Sequence, residues 1–243
     1  PEWIEGLNRM DLNLVSSNFA KETFQRMSFE KKDQRTGQVV GNVKLNKPMQ
    51  VLFEGINLDL YKTLSPKELK TINLKDIPEQ FCFLSVGHWM QGALGHDRKN
   101  IGITIKTFYE AFKNKRVKPA LILKCSVGVA SYISRDEILD RIKSIKELVG
   151  GSNLPNIYLL SGEFSDEEMN ELYNHPKVKS LISFTKGEGF GRPLLEFSLS
   201  GKPIIASNWS GHTDFLNPQY VSLLPGNLEK VHPSAANNWL IAE

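Results

Sequence analysis

The chain has 243 residues, 40% of them apolar, and 30 basic against 27 acidic side chains, for a formal net charge of +3. That is enough chain for one large or two modest domains, each with a core, and the ordinary content of charge, Gly and Pro excludes a disordered tail, a collagen and a disulfide mini-protein. So small a charge imbalance gives no strong basic field and argues against nucleic-acid binding. No apolar run nears the roughly 18 residues of a spanning helix, and the mixed, acidic start Pro1-Glu2-Trp3-Ile4-Glu5 does not read as a signal peptide.

In chain order, the first third is irregular. Leu12-Asn13-Leu14-Val15 reads as a short strand. Ser16-Ser17-Asn18 offers helix caps ahead of Phe19, Thr23 and Met27, which recur at helical spacing. Residues 29–38 are charged and contain Arg35-Thr36-Gly37, an exposed loop or hairpin tip. Val51-Leu52-Phe53 is a second strand. From Lys62 to Gln80 the chain is polar and Lys-rich, with Pro66 and Pro78, and reads as a linker carrying one short helix.

After Gln80 the pattern becomes regular. Phe81 to Val86 is an apolar strand ending at Gly87. Ile101, Ile105, Phe108 and Phe112 mark one helical face, with Asn100 as its cap. Ala120 to Lys124 is a strand. Ser134 with Glu137 forms a capping box ahead of Ile138, Ile142 and Ile145, and Gly150-Gly151 stops that helix. Asn156 to Leu160 is a strand, and Ser165 with Glu168 a second capping box, followed by Met169, Leu172 and Tyr173. Val178 to Phe184 is a strand, Pro193 to Ser200 a short helix stopped by Gly201, and Pro203 to Ala206 and Tyr220 to Leu224 are further strands.

Strands alternating with helices at short spacing predict an α/β, doubly wound parallel sheet of Rossmann type over 81–224. Ligands of such sheets bind outside the carboxyl ends of the strands. The informative loops are therefore 87–100, 161–165, 185–193 and 207–213. Cys82 and Cys125 lie in apolar runs and read as buried, reduced thiols. The five histidines form no HExxH pattern and there is no Cys/His cluster of zinc spacing, so no metal is expected.

Loop 185–193, Thr185-Lys186-Gly187-Glu188-Gly189-Phe190-Gly191-Arg192-Pro193, is the richest. Three glycines in five residues let the backbone take positive φ and approach a ligand closely. Pro193 suits a first helical turn, whose free N–H groups suit a phosphate. Glu196, one turn in, can accept two hydroxyl hydrogen bonds from a vicinal diol such as a ribose. Each signal alone has a plainer reading: a tight turn for the glycines, a surface carboxylate favoured by the dipole for Glu196.

Their order is more specific. Glu188 and Glu196, with seven residues between them (189–195), stand in Glu188-Gly189-Phe190-Gly191-Arg192-Pro193-Leu194-Leu195-Glu196. This resembles the E-x7-E signature of retaining GT-B glycosyltransferases, with glycosyltransferase family 4 the best match. Gly201-Lys202-Pro203-Ile204-Ile205-Ala206-Ser207-Asn208 is similar to that family's next strand and loop. Ser85-Val86-Gly87 with Arg98-Lys99-Asn100-Ile101-Gly102 is similar to its first phosphate loop, and Leu160-Ser161-Gly162-Glu163 to its base-binding loop. The resemblance covers 80–225 well. The span 11–57 resembles the end of the family's N-terminal domain.

The resemblance implies transfer of a sugar from a nucleotide-sugar donor to a hydroxyl acceptor on a glycan, lipid or protein, with retention at the anomeric carbon and without a metal or other cofactor. Glu188 would lie near the donor sugar and act in catalysis. Glu196 would bind the ribose, Lys99 the diphosphate, and the backbone of Gly189-Phe190-Gly191 the sugar and phosphate. Gly162 and Glu163 would belong to the base-binding loop. The family usually carries Arg where this chain has His88, so His88 or Arg98 is the expected substitute phosphate contact. Arg192 stands where the family tolerates several residues.

The domains so implied are 1–61, the tail of the N-terminal acceptor domain; 62–80, a linker; and 81–243, the donor-binding domain. The chain lacks an initiator Met and stops before the helices that usually follow, so it reads as part of a longer transferase, inactive alone. A cytoplasmic location is expected, with peripheral contact at the inner membrane face through the remainder of the N-terminal domain. A nucleotide-sugar binding fragment without turnover and a GT-B-type epimerase are the alternatives. A dinucleotide oxidoreductase is disfavoured, because Gly87, Gly92 and Gly95 lack the Gly-x-Gly-x-x-Gly spacing.

Overall fold

The computed structural model describes residues 1–90, 92–128 and 131–235. Its first part is built from short pieces. Helix α1 (Glu2–Leu7) precedes strand β1 (Asn13–Val15), which pairs in parallel with β4 (Met49–Val51). Between them, α2 (Asn18–Arg26) begins at Ser17, whose hydroxyl accepts from the Ala20 N–H at 3.1 Å. The charged stretch is indeed a hairpin, β2 (Ser28–Lys32) against β3 (Val39–Lys44), and Asp33 orders its tip by accepting from the N–H groups of Arg35 and Thr36. The second strand lies earlier than the apolar triplet predicts: Val51 closes β4, and Leu52 and Phe53 lie outside it and exposed. Residues 62–80 hold turns only, and the short helix expected there does not form.

From residue 82 onward the sheet is as expected. Strands β5 (Cys82–His88), β6 (Ala120–Ser126), β7 (Ile157–Leu160), β8 (Val178–Ser183), β9 (Ile204–Ser207) and β10 (Ser222–Leu224) pair in parallel in the order β10-β9-β8-β5-β6-β7. The sequence order reverses between β5 and β8. This junction is the topological switch point, where loops diverge to the two sides and leave a crevice.

Both faces are covered. Helices α3 (Ile101–Phe112) and α4 (Tyr132–Val149) lie on one face over Ile105, Phe108, Leu121, Leu123 and Ile138, all buried. Helices α5 (Asp166–Asn174) and α6 (Arg192–Ser198) lie on the other, where Leu172, Tyr173 and Phe197 are fully buried against Leu84, Leu181 and Ile204. Burial of each such side chain contributes roughly 1.5–3 kcal/mol. Tyr61, Leu74 and Ile77 join that second core from the preceding stretch.

Cap details differ from expectation at two helices. At α3, Asn100 is left-handed (φ 56°) and makes no side-chain cap; Asp97, three residues earlier, caps the Ile101 N–H at 2.9 Å. At α4 the cap is Ser131, accepting from Ser134 N–H, so the helix starts three residues before the Ser134–Glu137 pair implies. The Ser165–Glu168 capping box forms in full. Cys82 and Cys125 are buried and free, and burial pushes both thiols up to about 11.

Candidate functional site

The glycine loop leaves β8 at the switch point and is held by a second loop. Gly191 takes φ 97°, and a Cβ there would come within 2.8 Å of His212 Cβ. Gly211 approaches so closely that its Cβ would lie 2.0 Å from the Gly189 carbonyl oxygen. The two loops therefore pack backbone against backbone, which only glycine permits. Phe190 is 5% exposed, with its ring 5.0 Å from Phe215 and 6.2 Å from Phe53. Its side chain is core, and only its backbone remains for a ligand.

Glu188 sits on this loop among cations that arrive from the other side of the switch point. Lys99 Nζ donates to its Oε1 at 2.6 Å, and Arg98 stands 3.5 Å from Oε2 while donating to the Gly187 carbonyl at 2.7 Å. The Lys99 side chain runs alongside Gly87, where a Cβ would lie 3.4 Å from Lys99 Cδ, in ordinary van der Waals contact. Burial pushes the Glu188 carboxyl up, but Lys99, Thr185 and Arg98 outweigh it and hold it below the usual carboxylate range. The site is ionised, with two cations against one carboxylate.

Glu196 lies in a different setting. It is 7% exposed on α6; Tyr173 of α5 donates to its Oε2 at 2.9 Å and Arg192 Nε to its Oε1 at 2.8 Å. Arg192 also reaches toward Asp166 (3.9 Å), which accepts from the Tyr61 hydroxyl at 3.1 Å. Burial pushes the Glu196 carboxyl above its usual range; Tyr173 and Arg192 offset this only in part, and Asp166 adds to it. Among the described residues, no hydrogen bond or ion pair joins Glu188 to Glu196. They form two clusters on one short stretch of chain.

The remaining expected residues are dispersed. His88 ends β5, exposed, with Nδ1 2.6 Å from Ser126 Oγ and outside the Lys99 cluster; of the two substitutes weighed for the missing arginine, Arg98 is the one beside it. Gly162 takes φ 106° after β7, and its carbonyl accepts from Lys124 Nζ at 2.7 Å, while Glu163 is exposed. Helix α6 is only seven residues long, and the positive charge beside Glu188 comes from Lys99 and Arg98. A cleft of about 770 Å³ opens beside Arg98, walled by Met90, Phe184, Trp209 and residues 224–232, apart from the Lys99–Glu188 pair.

Four participants escaped the sequence reading: Ser210 and His212 on the clamping loop, Tyr173 and Tyr61 around the α5–α6 cluster. The loop was legible as important because it follows β9, but no motif in it named a residue. Tyr173 reads in sequence as one member of an apolar helix stripe, and only its hydroxyl, aimed at Glu196, distinguishes it. His212 is fully buried; Nε2–H donates to the Ser207 carbonyl at 2.7 Å, and burial holds the ring below its usual range, hence neutral.

No model of a known protein family matches the chain, and no curated protein matches it in sequence. Its fold does have relatives. Sucrose-phosphate synthase from Thermosynechococcus elongatus is similar at 18% identity and a TM-score of 0.62, over 92% of this chain and 47% of that one. An α,α-trehalose-phosphate synthase (UDP-forming) from Burkholderia xenovorans gives 11% identity and 0.63, over 91% and 52%. HepE from Anabaena, in complex with UDP and glucose, gives 18% identity and 0.58, over 90% and 51%. The chain thus has the fold of the C-terminal half of GT-B glycosyltransferases and spans about half the length of each of these three structures.

Proposed function

We propose that this chain is the donor-binding part of a retaining glycosyltransferase that moves a sugar from a nucleotide-sugar donor to a hydroxyl acceptor. The observation that carries the reading is the meeting of Lys99, Arg98 and Glu188 at the switch point of a GT-B sheet, with Glu196 buried one turn into the following helix. In this reading Glu196 accepts hydrogen bonds from the ribose diol, its second lone pairs being free beside those used by Tyr173 and Arg192. Lys99 and Arg98 face the diphosphate. Departure of a nucleoside diphosphate builds negative charge on its β-phosphate, and two fixed cations stabilise that charge as it forms.

Glu188, held ionised, lies where the donor sugar would sit and would stabilise positive charge developing at the anomeric carbon. The backbone of Gly189, Phe190 and Gly191 would line the sugar, and Gly162 and Glu163 the base. The E-x7-E resemblance supports retention. Because the chain spans half of its structural relatives, it would bind donor without transferring the sugar alone. The acceptor would be met by a further part of the protein, on the side where a cytoplasmic, peripheral membrane contact is expected.

Calorimetric titration tests this reading. UDP is the first probe, since HepE is described in complex with it and the trehalose-phosphate synthase as UDP-forming; GDP, ADP and NAD complete the set. Saturable binding of one nucleoside diphosphate and none of NAD is expected. Binding of NAD, or of no nucleoside diphosphate, would remove the proposal.

A further inference from the structure

Ser210 adopts a conformation that suits glycine. Its φ of 81° and ψ of −169° lie in a region that residues with a β-carbon rarely enter. It is nevertheless 2% exposed, on the turn that clamps the glycine loop. Strain of this kind persists only where surrounding contacts over-determine it.

The contacts show what the conformation achieves. Ser210 Oγ accepts from the Glu188 N–H at 2.9 Å, and the next residue, Gly211, donates its N–H to the Glu188 carbonyl at 3.0 Å. Both backbone groups of Glu188 are thus held by two consecutive residues of another loop. The turn is fixed in its own right, because Thr213 returns N–H and hydroxyl hydrogen bonds to the Ser210 carbonyl at 3.0 and 2.8 Å. Glycine at 210 would relieve the backbone and forfeit the hydroxyl. Among the described residues, that hydroxyl is the one group paired with the Glu188 N–H.

We infer that Ser210 is a positioning residue: its hydroxyl fixes the Glu188 peptide, and so aims the carboxylate at the donor sugar, while its backbone stays strained. The inference rests on the donor-site reading above. Two variants separate function from folding. S210G removes strain and hydroxyl together; S210A removes the hydroxyl and keeps the strain.

The experiment measures the unfolding midpoint and the Kd values of UDP and UDP-glucose for the chain and both variants, with the GDP or ADP pair if titration selects that base. In S210A the midpoint should fall, because the hydroxyl is lost and the strain kept; in S210G relief of the strain offsets the lost hydrogen bond, and the midpoint should lie above that of S210A. Both variants should keep the Kd of the nucleoside diphosphate and weaken that of the nucleotide sugar by about 2–10-fold. Sugar affinity that follows stability, improving in S210G and worsening in S210A, would show a merely structural serine. Unchanged sugar affinity in both variants, or a midpoint in S210G no higher than in S210A, would also overturn the inference while leaving the donor site intact. A chain that binds no nucleoside diphosphate would overturn the donor-site reading and this inference with it.

Discussion

Glu188 and Glu196 come from one nine-residue stretch, and the fold treats them in opposite ways. Glu188 meets cations from a loop some 89 residues distant in sequence, and they pull its carboxyl down against burial. Glu196 is partnered by its own helix and by α5, and burial wins over those partners, so its carboxyl is pushed up. One spacing motif thus delivers a firmly ionised carboxylate on a clamped glycine-rich loop and a desolvated, hydrogen-bonded one in a helix. The first suits a growing positive charge; the second suits neutral hydroxyls.

The largest effect that would break this contrast is at Lys99. Lys99→Ala leaves Glu188 nearly buried with only the more distant Arg98, and should destabilise the fold by about 3 kcal/mol. The same change should weaken diphosphate binding and flatten its salt dependence. Chemical denaturation and titration at several salt concentrations read both. A stable variant with unaltered salt dependence would mean that Lys99 is a bystander.

Glu196→Gln should weaken nucleoside diphosphate binding by about 1.5–3 kcal/mol, the range for a hydrogen bond to a charged group. Affinity in the unmodified chain should also fall on acidification earlier than an ordinary carboxylate requires, because the raised Glu196 carboxyl protonates first. Titration across pH checks both, and a profile identical in the Gln variant would detach Glu196 from the nucleotide.

Stability against pH sharpens the same contrast. The folded-state value of Glu188 lies below its ordinary 4.5, so its contribution is complete above that pH and is lost as pH falls through the folded value. For Glu196 the folded value lies above 4.5, so its contribution is present below that pH and lost as pH rises through the folded value. Unfolding midpoints across the acid range should therefore show a shallower acid loss in Glu188→Gln and a steeper one in Glu196→Gln. Equal slopes in the two variants would erase the distinction.

The smallest effect lies where the first part of the chain touches the clamping loop. Asp214 Oδ2 accepts from the Asn18 N–H at 2.7 Å at the start of α2, beside the Phe19–Trp209 edge contact at 5.1 Å. Asp214→Asn keeps an acceptor and removes the charge from the helix start, costing about 0.3–1 kcal/mol. Faster amide exchange confined to α2 would report it; no change would leave that end held by the aromatic pair alone.

The parallel sheet was legible because its strands are short, aliphatic and separated by capped helices, signals that depend on neighbouring residues only. The Glu188–Glu196 stretch was read from its resemblance to a family signature, since each of its residues taken alone had a plainer structural reading. Asp97 as the cap of α3, Ser131 as the cap of α4 and the pairing of Val39–Lys44 escaped because each rests on a choice among competing polar or exposed residues. Ser210 escaped for a deeper reason: a serine in a loop carries no sign that its backbone is strained or that its hydroxyl will meet an amide 22 positions away. Tyr173 was placed correctly in its helix, but its role at Glu196 is a tertiary fact.

The central claim is that the two carboxylates serve one nucleotide-sugar site. A crystal structure of the chain with its nucleoside diphosphate bound tests it most directly. The account predicts the ribose hydroxyls on Glu196, the diphosphate within hydrogen-bond reach of Lys99, and the terminal phosphate directed toward Glu188. A nucleotide seated instead in the cleft between Met90, Phe184 and Trp209, touching neither Lys99 nor Glu196, would contradict it.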